Sequence, residues 1–383
     1  MNSSLPKGYQ MEESLRRYFI KSGYYTVRGV PFVYQGFDVS DIDLWLYTRP
    51  SSVARHRIVV DCKNKTTPKA IERIFWTKGL QIVLGVEQAI VATTDKRPAV
   101  TDFGREHEVL ILDGTFLDKL QKPSDPADER LTEEQFTALV SSYHPTKEGG
   151  DWKGRVKAAK RPLASGLGYN AINSWSGEAR YFAEQAQLVT THKELGCRLL
   201  YLLLSFIAIA FDFVMKDLAF SEPASKLAML NDGLRYGSRG PTGTQELVQL
   251  AVGLVEYYTP ENRALAPRIK ERLAKDIENI PTRILAEHFG KPSVSQELFT
   301  VAKELEAAAY STKFVAPESL SAGAKAVLGV FLDFWDMPRA RFFDGFDTVM
   351  TKTPLPATNG PASSAPQEKN ANAQAPLPGM KVN

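Results

Sequence analysis

Apolar positions along the first 120 residues follow two different periods. Met11, Leu15, Tyr18 and Phe19 recur at helical spacing across residues 11–22, and Gly23 stands where such a helix would end. Residues 29–34, 41–47 and 57–63 are short apolar or alternating runs that read as strands. Thr67-Pro68 is a helix start with proline in the first turn, and that helix is expected to reach about residue 86. A strand over 88–94, a helix over 98–107 and a strand over 109–112 follow. The turn Asp113-Gly114 then leads into a helix through Leu120. Strands alternating with helices predict an α/β layer structure.

The pattern then changes. Residues 122–128 are rich in proline and aspartate and look like a boundary, and a short helix is expected over 132–143. Residues 147–168 carry glycines and the basic side chains Lys153, Arg155, Lys157, Lys160 and Arg161, which reads as a linker or mobile loop. The glycine-rich 233–243 reads as an interhelical turn. From 176 to about 349 every strong pattern is helical. Beyond 351, Pro, Ala, Asn and Gln replace large apolar residues, so a disordered tail is expected. The division is therefore 1–122, a linker with a short helix and basic loop over 123–175, an all-α domain over 176–350, and the tail 351–383.

Residues 199–215 (LLYLLLSFIAIAFDFVM) are almost wholly apolar, yet they fall short of a bilayer span of about 20 residues and contain Asp212. A buried core helix is the expectation, with the 247–257 pattern among the helices covering it; a membrane helix is the alternative.

Composition narrows little further. A chain of 383 residues with 43% hydrophobic residues suits a soluble protein of two domains. A net charge of +3 does not argue for nucleic acid. The two cysteines, Cys62 and Cys197, lack metal-ligand or disulfide-framework spacing. The first residues show no basic segment followed by an apolar run, so a cytoplasmic protein is expected.

The chemistry lies in the strands. Asp61 and Lys63 are two apart, so they share a face at the end of the run Ile58-Val59-Val60. Asp43 opens the apolar run Leu44-Trp45-Leu46 of the preceding strand. A hairpin across residues 48–55 would bring Asp43 toward Asp61. Two close carboxylates in a partly buried place repel, and a divalent cation with a preference for oxygen ligands relieves that repulsion. Glu12, at the edge of the first helix's apolar stripe, can point across the sheet, whereas Glu13 is expected to turn outward into solvent. Glu72 and Lys78 are read as a solvated helix face, and the histidines as structural or surface residues.

The order Glu12, Asp43, Asp61-x-Lys63 resembles the PD-(D/E)xK nuclease superfamily, and within it the Mrr-like restriction endonucleases. The likeness extends over about residues 8–120, through Ser40-Asp41-Ile42-Asp43-Leu44, Val60-Asp61-Cys62-Lys63-Asn64 and Ala89-Ile90-Val91-Ala92-Thr93-Thr94. It implies a restriction-endonuclease-like α/β domain, a mixed sheet flanked by helices, ahead of the all-α domain. It also implies Mg²⁺ or Mn²⁺ on Asp43, Asp61 and Glu12, with Lys63 assisting hydrolysis of DNA, and a restriction or anti-phage role. Asp41 competes with Asp43 for one place. The helical domain would recognise the target, form a homodimer or meet a partner protein; no membrane partner is expected. Alternatives are a nuclease-fold binding protein that does not cut, or a nuclease acting on RNA or repair intermediates.

Overall fold

The computed structural model of the chain describes residues 6–65, 69–120, 129–143, 150–188, 192–258 and 265–347. The 351–383 tail lies outside them, as does the Thr67-Pro68 helix start.

The first helix, α1 (Lys7–Lys21), buries Met11, Leu15 and Phe19 of the residues at helical spacing, while Tyr18 is exposed. Then come β1 (Tyr25–Tyr34), β2 (Phe37–Thr48), β3 (His56–Lys63), α2 (Ala70–Leu84), β4 (Gln88–Thr93), α3 (Pro98–Glu106), β5 (Val109–Leu112) and α4 (Gly114–Leu120). The strands form one sheet in the order β1-β2-β3-β4-β5. β1 to β3 are antiparallel neighbours, while β3, β4 and β5 run parallel, as the helical crossovers α2 and α3 require. It is a mixed sheet flanked by helices.

Alternation along β2 and β3 separates two cores. Leu44, Leu46, Ile58, Val60 and Cys62 pack with α1 and with Leu117 of α4. Trp45, Tyr47 and Val59 pack in a larger core that runs on into the helices of the second half. The chain up to Phe346 is one compact unit, so sheet and helices share that core.

The helices that follow are α5 (Glu133–Ser141), α6 (Trp152–Ser165), α7 (Tyr169–Leu188), α8 (Lys193–Met215), α9 (Pro223–Tyr236), α10 (Gly240–Tyr258), α11 (Leu265–Glu278), α12 (Thr282–Phe289), α13 (Pro292–Tyr310), α14 (Ala322–Phe334) and α15 (Arg339–Asp347). The second half is thus helical. The expected basic loop over 147–168 is corrected: most of it is α6. Asp151 caps that helix by accepting the Gly154 N–H at 2.9 Å, and Trp152, Leu163 and Ala164 are buried beneath it.

α8 has the length and apolarity to cross a membrane, but 94% of its apolar window is buried in the protein. α7 and α13 cover it. The 247–257 pattern does not: it belongs to α10, which packs on α9 and α11 and leaves Leu247, Leu250, Leu254 and Tyr257 exposed. Asp212 explains how α8 tolerates a carboxylate. It is fully buried, takes the Tyr47 hydroxyl at 2.6 Å, and pairs with Arg55 at 2.5 Å and Arg49 at 3.0 Å. The acid therefore ties the helix to the end of β2 and the loop after it.

Removing one partner from a buried ion pair leaves the others without a counter-charge. Asp212→Ala is expected to lower stability by about 3–5 kcal/mol, read as a drop in the urea midpoint at pH 7. A variant as stable as wild type would show that α8 is held by apolar packing alone.

Candidate active site

β2 and β3 stay paired only as far as Leu44 opposite Val60. One step further the partners would be Asp43 and Asp61, and there the ladder ends. Asp43 Oδ2 accepts the backbone N–H of Cys62 at 2.6 Å, in place of the carbonyl that continued pairing would have offered. Gly29 lies opposite Asp43 on β1, between the pairs Arg28–Leu44 and Val30–Ile42, and its φ of +64° is a left-handed conformation that suits glycine. Strict alternation would put Ile42 with Leu44. Instead Leu44 joins the core under α1, and Ile42 joins the larger one. The strand thus changes its surroundings at Asp43.

Each of the other acids is held by an arginine. Asp61 is buried, and Arg73 of α2 engages both of its oxygens, Nε donating to Oδ2 at 2.8 Å and Nη2 to Oδ1. Glu12 accepts from Arg28 Nε at 2.7 Å. Arg28 also reaches Glu134 at 2.6 Å and Glu13 at 3.5 Å. Lys63, half-buried on β3, has no hydrogen bond or ion pair among the described residues. Asp41 is exposed opposite Pro31 and stands outside the parting of the strands.

The electrostatics converge on Asp43. Burial pushes its carboxyl up to about 7; the charges of Asp61 and Glu12 add to the rise, and the Cys62 N–H and Lys63 oppose it. Burial also raises Glu12, with Arg28 opposing. The other three expected residues, Glu12, Asp61 and Lys63, therefore act on this one carboxylate. Among the described residues, no three His, Cys, Asp or Glu side chains stand close enough together to hold a metal. Two of the acids lean toward arginines instead.

Glu13 is a correction. Its place on α1 suggests solvent, yet it is 4% exposed and faces Arg16 at 3.6 Å as well as Arg28. The three-residue spacing from Glu13 to Arg16 is the available signal. Arg28 and Arg73 escape a reading of the sequence altogether, although Arg73 directly precedes the core residue Ile74 on the inner side of α2. Glu72 is exposed and pairs with Lys69, and Lys78 pairs with Glu108. No protein-family model, curated protein or solved structure matches the chain.

The raised carboxyl makes a pH prediction. Asp43 holds a proton in the folded state up to about pH 7 and in the unfolded state only to about 3.8. Across that window the folded state binds more protons, so the contribution of Asp43 to stability falls as pH rises. An asparagine in its place would keep an oxygen for the Cys62 N–H and carry no charge. Asp43→Asn is therefore expected to be more stable than wild type at pH 8, by roughly 2–4 kcal/mol, with the gain shrinking toward pH 4. Urea midpoints of both proteins across pH 4–8 check this. A difference that does not change with pH would refute the raised carboxyl.

Proposed function

We propose that the chain is a divalent-metal-dependent nuclease of the PD-(D/E)xK kind that hydrolyses phosphodiester bonds of DNA in the cytoplasm. The observation that carries this reading is the place of Asp43. Its carboxylate stands where β2 and β3 part, one oxygen accepts only a backbone N–H, and the other has no donor among the described residues. Around it lie the charges of Asp61, Glu12 and Lys63.

Carboxylate oxygens suit a hard cation, and these three acids would have to draw together from their present places to hold one. Three carboxylates offer oxygen ligands, and Asp43 is raised by burial and further by like charges that a cation would relieve. Asp43 and Asp61 would hold Mg²⁺ or Mn²⁺ with Glu12 in support, which would supply Lewis-acid polarisation of the scissile phosphate. Lys63 projects from the same face of β3 as Asp61, and its ammonium, without an ion pair among the described residues, can donate to a phosphate oxygen as negative charge grows there. Arg28 keeps Glu12 oriented through its 2.7 Å bond. A restriction or anti-phage setting is the one the sequence resemblance implies.

A second reading has an observation of its own. The pairs Arg73–Asp61 and Arg28–Glu12 neutralise two of the acids without a metal, as suits a nuclease-fold protein that binds and does not cut.

Cleavage of supercoiled, linear and single-stranded DNA with Mg²⁺ or Mn²⁺, against an EDTA control, separates the two. Lys63→Ala is expected to slow cleavage by roughly 10²–10³, the scale for losing one group that stabilises the developing charge. DNA affinity at one fixed salt concentration should change far less, since it is spread over many phosphate contacts. Equal rates for both proteins would remove Lys63 from the mechanism, and a wild type inert on every substrate would favour the non-cleaving reading.

A further inference from the structure

The two arginines that neutralise site acids are held very differently. Arg28 is 3% exposed, meets Glu12, Glu13 and Glu134, and its carbonyl accepts the Lys160 ammonium at 2.8 Å. It is fixed from four directions. Arg73 has an ion pair with Asp61 alone among the described residues, and its side chain is 26% exposed. Beside it stands the exposed ring of Trp76, its centroid 5.9 Å from the guanidinium carbon, at the edge of cation–π range.

The grip of Arg73 on Asp61 is two-pronged, so it occupies both oxygens that a cation on Asp61 would need. A buried carboxylate without a counter-charge is costly. Arg73 meets that need while no cation is present, and it is placed at the solvent side where it can leave. We propose that Arg73 is an exchangeable stopper of the candidate metal position: it closes Asp61 until a divalent cation arrives. It then turns outward beside Trp76 to bind a phosphate of the substrate backbone. The inference rests on the nuclease reading above. Cation and nucleic acid then favour each other, because a phosphate that holds Arg73 keeps Asp61 open. That coupling is reciprocal, so each ligand tightens the other by the same factor.

A purely structural arginine would lower both affinities on removal. A stopper lowers one and raises the other. The experiment is calorimetric titration of Ca²⁺, an oxygen-seeking cation, into the full chain, with and without a double-stranded oligonucleotide. Wild type, Arg73→Gln, Arg73→Lys and Asp61→Asn are compared. Arg73→Gln should bind Ca²⁺ about tenfold more tightly than wild type, the scale for losing a charge-assisted pair partly screened by water. Its affinity for the oligonucleotide in Ca²⁺ should fall, with the slope of log Kd against log salt reduced by about one. Tightening of Ca²⁺ by DNA should be lost in Arg73→Gln. Arg73→Lys keeps the charge without the two-pronged grip, so it should retain the salt slope and bind Ca²⁺ more tightly than wild type. It carries the comparison if the glutamine variant does not fold. Equal Ca²⁺ affinity in wild type and both Arg73 variants, with weaker binding by Asp61→Asn, would overturn the stopper and leave the nuclease reading standing. Failure of wild type and both Arg73 variants to bind Ca²⁺, or binding indifferent to Asp61→Asn, would overturn both.

Discussion

A carboxylate withdrawn from water needs a counter-charge, and the junction of α1, β1, α5, α6 and α13 is arranged around that need. Arg16 is 1% exposed and faces Glu306 at 3.1 Å, Glu13 at 3.6 Å and Glu133 at 3.7 Å. Lys160 of α6 reaches Glu133 at 2.5 Å, and the Tyr310 hydroxyl donates to the same carboxylate at 2.8 Å. Burial alone would raise Glu133, but Lys160 and Arg16 bring it down to about 2. Networks of this kind add little net stability against an apolar core, yet losing one member is expensive. Their effect is on register. Turning α1 by a single residue would strand Glu13 and Arg16 together, so the network fixes how that helix faces the sheet. Through Arg28, which joins Glu13 and Glu134 to Glu12, the same network sets where Glu12 stands.

Asp212 repeats the logic at the end of β2, where Tyr47, Arg49 and Arg55 meet the carboxylate of an otherwise apolar helix. Measured against these two clusters, Asp43 is the exception. Its partner is a backbone N–H, and the charges of Asp61 and Glu12 act against it. Among the described residues, the fold supplies cations to Glu13, Glu133, Glu306 and Asp212 and gives Asp43 no ion pair. On the proposed reading, that deficit of positive charge, at the point where two strands separate, is what a bound cation would relieve.

The strands were legible because their signal is local. Leu44-Trp45-Leu46 and Ile58-Val59-Val60 are bounded by carboxylates in the sequence itself, and a hairpin between them brings Asp43 toward Asp61 whatever lies elsewhere. The stripe Met11, Leu15, Phe19 was equally plain. What escaped depends on partners far along the chain. α6 looked like a basic loop because nothing near Lys160 shows that its ammonium ends on Glu133 and on the carbonyl of Arg28. Glu13 looked solvated because its second partner, Arg28, is fifteen residues away on a strand. The arginines at the site are ordinary charged residues until the fold sets them against Asp61 and Glu12. For α8, a nearly unbroken apolar run suits a bilayer or a core equally well; the tyrosine and two arginines around Asp212 decide for the core, and all three lie in the sheet half.

The site is consequently unequal on its two sides. Glu12 is bound into the rigid network through an arginine that cannot leave without orphaning Glu13 and Glu134. Asp61 is bound to an arginine with one acidic partner among the described residues and a partly exposed side chain. On the proposed reading, adjustment to a cation or a phosphate would fall on the α2 side, where a side-chain rotation suffices, and not on the α1 side, where the junction of five elements would have to shift. Rigid placement of one ligand with freedom at the other is the arrangement in which an incoming charge changes a local contact and leaves the scaffold unchanged.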